Sequence, residues 1–254
     1  MNVDQYLKRI RYSGPLDVNH SVLTALHLAH LQAVPFENLS IHWKQPIILD
    51  KAALFDKVIH ANRGGFCYEL NGLFGWLLGE LGFQVTLLSA SVYSESDESY
   101  GQPFDHLMLR VDLAQSYLVD VGFGEGYLEP LLLQEDMEQR QGQKAFKLSR
   151  VDEQWTYFEQ RADAQSADSW RARYRFTLVP RAFSDFREMC HYQQTSPQSH
   201  FTQKVICTLA TPEGRVTLSD DRFIITENGV RTEQTVDEGD QTHLLQKYFQ
   251  IRFC

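Results

Sequence analysis

The segment Arg63–Gly72 combines a cysteine with residues that favour the start of a helix. Two glycines precede Cys67, and the apolar residues that follow it recur at helical spacing, which predicts that Cys67 lies at or near the first helical position. The positive end of the helix dipole favours a thiolate there, and first-turn amide groups can donate to a developing oxyanion. Cys67 is therefore a candidate nucleophile, although a lone cysteine is more often a small buried apolar residue.

A cysteine nucleophile needs a base and a group that orients the base, and two later strands supply candidates. His106 begins an apolar strand that ends near Val111, and Asp120 lies inside a second apolar strand, Tyr117–Val121. If these strands form a hairpin with Val111 opposite the first residue of the second strand, Asp120 is a diagonal neighbour of His106, about 7–8 Å away on the same face. A carboxylate there would orient the imidazole and stabilise its cation.

Ordinary structural roles are the alternatives to these assignments. A histidine beside apolar residues is more often structural, and Asp112, in the predicted turn, fits a capping role better than Asp120 does. The glycine-rich stretch Gly122–Gly126 lacks the third glycine of a dinucleotide-binding loop, and no clear helix follows it. We expect these glycines to let a loop approach the active site closely, and we predict a catalytic triad of Cys67, His106 and Asp120.

The composition excludes several classes of protein. The chain has 254 residues, 43% of them hydrophobic, and a net charge of −9, which argues against a nucleic-acid partner. No run approaches the roughly 18 apolar residues of a membrane span, and the N-terminal residues Met1–Arg9 contain no apolar signal core. The sparse cysteines form no C-x-x-C pair, so we expect no zinc site and a reducing, cytoplasmic compartment. These cysteines are Cys67, Cys190, Cys207 and Cys254.

The hydrophobic periodicity divides the chain into three parts. The first is helical, with helices over Val22–Val34, Ala52–Asn62 and Cys67–Leu81, and Asn19 or Ser21 as a cap of the first. The middle part changes to a period of two, which indicates a β barrel or sandwich, and the last part mixes both types. The predicted strands are Gln84–Leu88, Ala90–Tyr93, His106–Val111, Tyr117–Val121, Lys144–Val151, Trp155–Glu159, Tyr174–Leu178, Lys204–Leu209, Gly214–Leu218 and Arg222–Thr226, and the later helices are Phe183–Tyr192 and Thr242–Phe249.

Together these segments resemble the bacterial arylamine N-acetyltransferase family, and in particular its N-hydroxyarylamine O-acetyltransferase type. The resemblance implies an α+β fold with an N-terminal helical bundle over residues 1–85, a central β barrel over 86–188 and a C-terminal α/β lid over 189–254, around a cysteine-protease-like core. It extends from Tyr12 to about Phe253, and its motifs are Val34–Leu39, Arg63–Gly72, His106 at a strand start, Asp120–Gly124 and Thr195–Phe201.

The resemblance also implies an activity and a role for each matching residue. Acetyl-CoA would be the acetyl donor, and an aromatic amine, a hydrazine or an N-hydroxyarylamine would be the acceptor in a ping-pong reaction. Cys67 would be the acetylated nucleophile, His106 the base and Asp120 the orienting acid. Phe36, Phe123 and Phe201 match positions that line the family's substrate cleft, with core packing as the alternative, and Glu37 and Arg63 resemble structural partners.

Two other functions stay open from the sequence. A cysteine hydrolase, papain-like or transglutaminase-like, uses the same three residue types with water or another group as the acceptor. A non-catalytic binding module could keep the scaffold without the reactivity. The sequence also leaves self-association into a homo-oligomer open, and it does not identify the physiological acceptor.

Overall fold

The computed structural model describes residues 1–160 and 170–252. A π-helical turn at Asp56–His60 continues the helix Lys51–Phe55, and a 3₁₀ turn at Phe183–Phe186 precedes the helix Arg187–Thr195. Among the described residues, no helix is both long and apolar enough to cross a bilayer. The helices are α1 (Val3–Arg9), α2 (His20–Ala33), α3 (Leu39–His42), α4 (Lys51–Phe55), α5 (Cys67–Glu80), α6 (Arg187–Thr195), α7 (His200–Gln203) and α8 (Glu238–Phe249).

The strands pair in antiparallel ladders, most of them between neighbours in the sequence. They are β1 (Phe36–Glu37), β2 (Gln84–Ser94), β3 (Ser99–Tyr100), β4 (His106–Asp112), β5 (Ser116–Val119), β6 (Leu131–Leu132), β7 (Gln139–Gln141), β8 (Lys144–Val151), β9 (Gln154–Gln160), β10 (Trp170–Phe176), β11 (Ile206–Thr211), β12 (Gly214–Ser219), β13 (Arg222–Glu227) and β14 (Val230–Thr235).

Two sheets organise the described chain. The larger has the order β6-β5-β4-β2-β10-β9-β8-β7 and curls into a nearly closed barrel around its own apolar core. The smaller has the order β1-β11-β12-β13-β14, so a short strand from the helical N-terminal part joins the C-terminal sheet. The expected α+β architecture of helical bundle, barrel and α/β lid is confirmed, and the division of the chain at residues 85 and 188 stays a prediction.

Helix α5 forms the centre of the N-terminal core. The buried carboxylate of Glu69 accepts the backbone N–H of Phe66 at 3.0 Å, which satisfies one of the free amide groups at the helix start. Gly82, at φ +93°, follows the last turn in the left-handed conformation that glycine adopts without strain. The predicted apolar face is buried at Leu70, Leu73, Phe74, Leu77 and Leu78.

Helix α2 differs from its prediction in the face that it buries. Asn19 caps it by accepting the Val22 N–H at 3.0 Å, as one of the two predicted caps. The interior positions are partly taken by His27 and His30, both 0% exposed, whereas Leu28 and Leu31 are half-buried. A count of apolar residues cannot place these histidines, because their burial depends on partners from other elements.

The β4–β5 hairpin has the predicted register. Val111 lies opposite Tyr117, and β4 pairs on its other edge with β2, where His106 lies opposite Ala90. Strand β4 is paired with β2 along its whole length and with β5 over its second half, so the pairing with β2 fixes the direction of its first residue. This hairpin is the element that positions the second and third candidate catalytic residues.

Strand β2 was predicted as two strands, Gln84–Leu88 and Ala90–Tyr93, and is one. The expected break at Ser89 is absent, because the hydroxyl of this residue accepts the N–H of Phe104 at 2.9 Å and needs no turn to satisfy it. A single polar residue in an alternating pattern is thus accommodated by a neighbouring loop. The continuous strand β2 extends along the barrel as far as the active-site cavity.

Strand β14 escaped prediction because its six residues are exposed. The sequence shows the turn before it, where Asn228 and Gly229 both have positive φ, as a two-residue hairpin requires. The strand then follows as the second half of the hairpin without any apolar alternation. Its pairing depends on the turn and not on burial.

The buried histidines of α2 make folding stability depend on pH. Burial lowers the pKa of His27, and burial followed by the charge of Arg9 lowers the pKa of His30 well below its usual value of about 6.5. The unfolded chain therefore binds more protons than the folded chain once the pH falls below about 6.5. Folding stability should decrease from there until the pH falls below the folded-state pKa values.

We predict that the free energy of unfolding decreases between about pH 7.5 and about pH 5.5, with an upper limit of about 1.4 kcal/mol for each such histidine. The measurement is urea denaturation at both pH values. In His30→Gln the decrease should be smaller, whereas His243→Gln, an exposed residue of α8, should behave as the parent chain. An equal decrease in all three proteins would contradict the assignment.

Candidate active site

Cys67 is the first residue of α5 and is 3% exposed. Close packing, and not flexibility, explains the two glycines before it. A Cβ on Gly64 would collide with the carbonyl oxygen of Pro35, and Gly65 pairs with Phe36 in a short parallel bridge. Only residues without a side chain let this segment pass along β1, and this path delivers Cys67 to the helix start.

The predicted contact between the histidine and the aspartate is present. Nε2 of His106 lies 2.7 Å from Oδ2 of Asp120, and both side chains are buried. Asp120 directly follows the end of β5, so the ladder of the hairpin sets the distance between them. The register argument from the sequence therefore placed these two side chains correctly.

The surroundings of Asp120 keep it ionised. Burial alone would raise the pKa of this carboxyl, but the charge of His106 and several hydrogen bonds outweigh it and lower the pKa. Oδ1 accepts from Asn71 Nδ2 at 2.8 Å and from the Gly122 N–H at 2.9 Å. The Tyr174 hydroxyl donates to Oδ2 at 3.3 Å. A carboxylate with this number of donors is stabilised in its charged form.

Asn71 joins the helix of Cys67 to the strands of the other two residues. Its Nδ2 also donates to the Leu107 carbonyl at 2.7 Å, and its Oδ1 accepts the Val121 N–H at 2.9 Å. Asn71 is one turn after Cys67 and so faces the same side of α5. Asn71 lies within the segment Arg63–Gly72, but no role was predicted for it. A polar residue inside the apolar stripe of α5 was the available signal.

His27 holds Asp120 from the side of α2. Its Nε2 lies 3.3 Å from the Asp120 N–H and its Nδ1 lies 2.8 Å from the Leu128 carbonyl. Because burial lowers the pKa of His27, the ring is neutral and can accept at one nitrogen and donate at the other. This contact connects residues 93 positions apart and was not predicted from the sequence.

The environment of Cys67 opposes ionisation of an isolated thiol. Burial raises the pKa of Cys67 well above its usual value, while the backbone N–H of Leu107 acts in the opposite direction. The prediction that a helix start would favour the thiolate considered only the helix dipole, which contributes less than about 2 kcal/mol. Ionisation of Cys67 therefore requires a cation that forms at the same time.

One cavity of about 610 Å³ brings the candidate residues together. Cys67 and His106 both line it, between the β2–β3 turn on one side and α6 and α7 on the other. It is also lined by the three aromatic residues singled out in the sequence, Phe36, Phe123 and Phe201.

The aromatic residues form part of the wall around the catalytic candidates. Phe123 meets the His106 ring edge to face at 5.2 Å between centroids, and Phe36 lies 6.2 Å from Phe201. A Cβ on Gly124, at φ +81°, would lie only 3.3 Å from the Phe36 ring. The glycine-rich loop approaches the site closely, as expected, and Gly122 packs against the backbone of Cys67.

The segment Phe36–Asn38 connects the cavity to the C-terminal part. Glu37 forms a buried ion pair with Arg63, with 2.8 Å between Oε1 and Nη2, which agrees with the expected structural pairing. Asn38 donates to the carbonyl oxygens of Phe201 at 3.0 Å and Lys204 at 2.7 Å. Short helix α7 is thereby fixed at the cavity wall.

The described part of the chain contains no cluster of three or more histidine, cysteine or acidic side chains with the geometry of a metal site. Cys67, Cys190 and Cys207 are free and buried, and Cys254 lies outside the described residues. The cavity is lined by the Cys67 thiol and by the His106 imidazole, which contacts the Asp120 carboxylate.

This chain is similar to known proteins of one family. A family model described as N-acetyltransferase matches residues 19–254. Human arylamine N-acetyltransferase 1 is 36% identical over 99% of this chain and 94% of its own length. The solved arylamine N-acetyltransferase of M. tuberculosis is 29% identical, with a TM-score of 0.91 over 98% of this chain and 94% of its own.

A third comparison adds a bound coenzyme in a relative. The structure of the Mycobacterium marinum arylamine N-acetyltransferase in complex with CoA is 30% identical, with a TM-score of 0.90 over 98% of this chain and 93% of its own. The match of the family model and the full-length similarity to the human enzyme lead to one assignment: this chain belongs to the arylamine N-acetyltransferase family.

Proposed function

We propose that the protein transfers an acetyl group from acetyl-CoA to an arylamine, an arylhydrazine or an N-hydroxyarylamine through an acetyl-Cys67 intermediate. The observation that carries the proposal is the buried His106–Asp120 contact of 2.7 Å at the wall of the cavity that Cys67 also lines. A thiol, a base and a carboxylate that orients the base are the parts of a nucleophilic triad.

The first half of the reaction acetylates Cys67. Nε2–H of His106 donates to Asp120, so we assign Nδ1 as the nitrogen that takes the thiol proton. The thiolate attacks the carbonyl carbon of the acetyl thioester, the bond from that carbon to the CoA sulfur breaks, and CoA leaves with the proton from His106. Asp120 stabilises the imidazolium while it exists.

The second half transfers the acetyl group to the acceptor. The amine nitrogen attacks the carbonyl carbon of acetyl-Cys67, and the carbon–sulfur bond to Cys67 breaks. His106 accepts the proton that the amine loses and returns a proton to the Cys67 sulfur, so the enzyme ends in its starting form. The burial of Cys67, which is 3% exposed, limits the access of water to the intermediate.

We propose that Phe36, Phe123 and Phe201 form the apolar wall that holds the aromatic ring of the acceptor. They line the same cavity as Cys67, and ring faces and edges of this kind pack well against another aromatic ring.

The three free, buried thiols also support the cytoplasmic compartment expected from the sequence.

A cysteine hydrolase is the second candidate function, and the acceptor distinguishes the two. The cavity wall around Cys67 is aromatic on one side, which suits an aromatic acceptor better than water. Without an amine, a transferase should keep its acetyl group for long periods, whereas a hydrolase should lose it quickly. A binding module would show no acetylation.

Our first prediction for the site is that incubation with acetyl-CoA adds one acetyl group to Cys67. Intact-protein mass spectrometry with peptide mapping measures it. Cys190 is the matched control, because burial raises its pKa to about 12 and, unlike Cys67, it does not line the cavity with the imidazole that could take its proton. Cys190→Ala should therefore still be acetylated and Cys67→Ala should not. Acetyl label on Cys190 or Cys207 with Cys67 free would refute the assignment.

A second prediction concerns the ionisation of Cys67. In the parent chain, transfer of the proton to His106 should place the inflection of iodoacetamide alkylation against pH well below the value of about 8.5 for a free cysteine. In His106→Gln the cation is lost and burial, which raises the pKa of Cys67, acts without compensation. The inflection should then move above about 8.5. Identical profiles in the two proteins would exclude a thiolate–imidazolium pair.

The third prediction separates Asp120 from Asp112. Asp120→Asn keeps the shape of the residue but removes the charge that stabilises the imidazolium, and losses of this kind reach about 10⁴-fold in a serine triad. Asp112 is the last residue of β4, where it accepts from Arg110 at 2.9 Å and from Ser116 at 2.6 Å, so Asp112→Asn should change acetyl transfer little. Steady-state kinetics gives the rates and circular dichroism checks the fold. Loss of transfer in Asp112→Asn alone would show that the triad is wrong.

A further inference from the structure

The active-site cavity is lined by acidic as well as aromatic residues. Glu95, Asp97 and Asp105 all line the cavity. Among the described residues, no lysine or arginine lines it, and His106 and His200 are its basic residues. This distribution of charge plays no part in the acyl-transfer steps described above.

Two of these carboxylates form no ion pair with lysine or arginine among the described residues. Burial raises the pKa of Asp105, while hydrogen bonds and the charges of His106 and His200 act in the opposite direction. Glu95 forms an ion pair with Arg171 at 2.9 Å, which offsets its charge. Asp105 accepts instead from the neutral amide of Gln193 at 2.6 Å, and Asp97 from the hydroxyl of Ser94 at 2.7 Å. Within the described chain, neither Asp97 nor Asp105 forms an ion pair with lysine or arginine.

Asp105 is the more effective of the two because of its position. It directly precedes His106, is half-buried, and interacts electrostatically with the Cys67 sulfur. Ser199 donates to Gln193 at 2.6 Å and so holds the amide that fixes the Asp105 carboxylate. A charge held in this way acts through less water than an exposed one, whereas Asp97 is exposed and more strongly screened.

We infer that Asp105, assisted by Asp97, makes the protein select neutral or cationic acceptors and reject arylamines that carry a negative substituent. The inference rests on the proposed acetyl transfer and deepens it. An acceptor must bring its whole ring into the cavity, so an anionic substituent would lie within the field of these carboxylates. The phosphates of CoA are separated from its thioester by the long pantetheine arm and need not enter the same space.

The test compares two acceptors of nearly the same shape, para-aminobenzamide and para-aminobenzoate, by kcat/KM with acetyl-CoA as donor. The carboxylate withdraws fewer electrons from the ring amine than the amide does, so intrinsic reactivity favours the anion and cannot imitate the expected result. The parent chain should prefer the amide by about tenfold or more, the effect of a like charge at about 8–10 Å in a partly shielded site.

Variants of the two carboxylates show which residue causes the preference for the amide. Asp105→Asn should reduce the preference at least about threefold, and Asp97→Asn should reduce it less, with the difference lost at high salt. Glu153→Gln, an exposed residue in the turn before β9, should leave it unchanged. The preference is a ratio within one protein, so a general loss of turnover in Asp105→Asn does not affect it, and Asp97→Asn provides a second test at an exposed position.

Each outcome decides the inference. A ratio near one in the parent chain, or a ratio that is the same in Asp105→Asn and the parent chain, would overturn it while leaving the proposed acetyl transfer intact. A failure to acetylate both compounds would overturn the proposed function and the inference with it. A preference for the amide that decreases in Asp105→Asn would support both.

Discussion

The carboxylate of Asp120 is buried, and most of the site is arranged around that constraint. An ionised carboxylate without partners in a protein interior costs several kcal/mol. Here it receives hydrogen bonds from Asn71 and Gly122 and a charged partner in His106, and these lower its pKa despite burial. Each partner comes from a different segment, so satisfying one charge also joins α5, the β4–β5 hairpin and the glycine-rich loop.

The same burial that strengthens the His106–Asp120 pair works against Cys67. Low polarity raises the pKa of the thiol and at the same time strengthens the attraction between a thiolate and an imidazolium. The two effects are compatible only if the proton moves between the two residues and does not go to solvent.

The parts of this site that local rules govern could be predicted from sequence, and the parts that depend on distant contacts could not. The hairpin places Asp120 beside His106 because a β ladder has a fixed spacing. Helix α5 could be predicted from Cys67 onward because its apolar residues recur at helical spacing. Asn71 and His27 were missed as partners of Asp120, because their hydrogen bonds span 49 and 93 positions. The burial of the thiol, which opposes the ionisation that the helix start favours, likewise depends on the packing of the whole N-terminal core.

The Glu37–Arg63 ion pair shows how the cavity keeps its shape. Replacing a buried pair with apolar residues is often neutral for stability, so its contribution is better sought in geometry. Arg63 lies one residue before the two glycines that lead to Cys67, and Glu37 lies between Phe36, which lines the cavity, and Asn38, which holds α7. The Arg63 guanidinium also stacks on Trp43 at 4.3 Å. Because its orientation is fixed on several sides, the pair links the segment that leads to Cys67 with the segment that places Phe36 in the cavity wall.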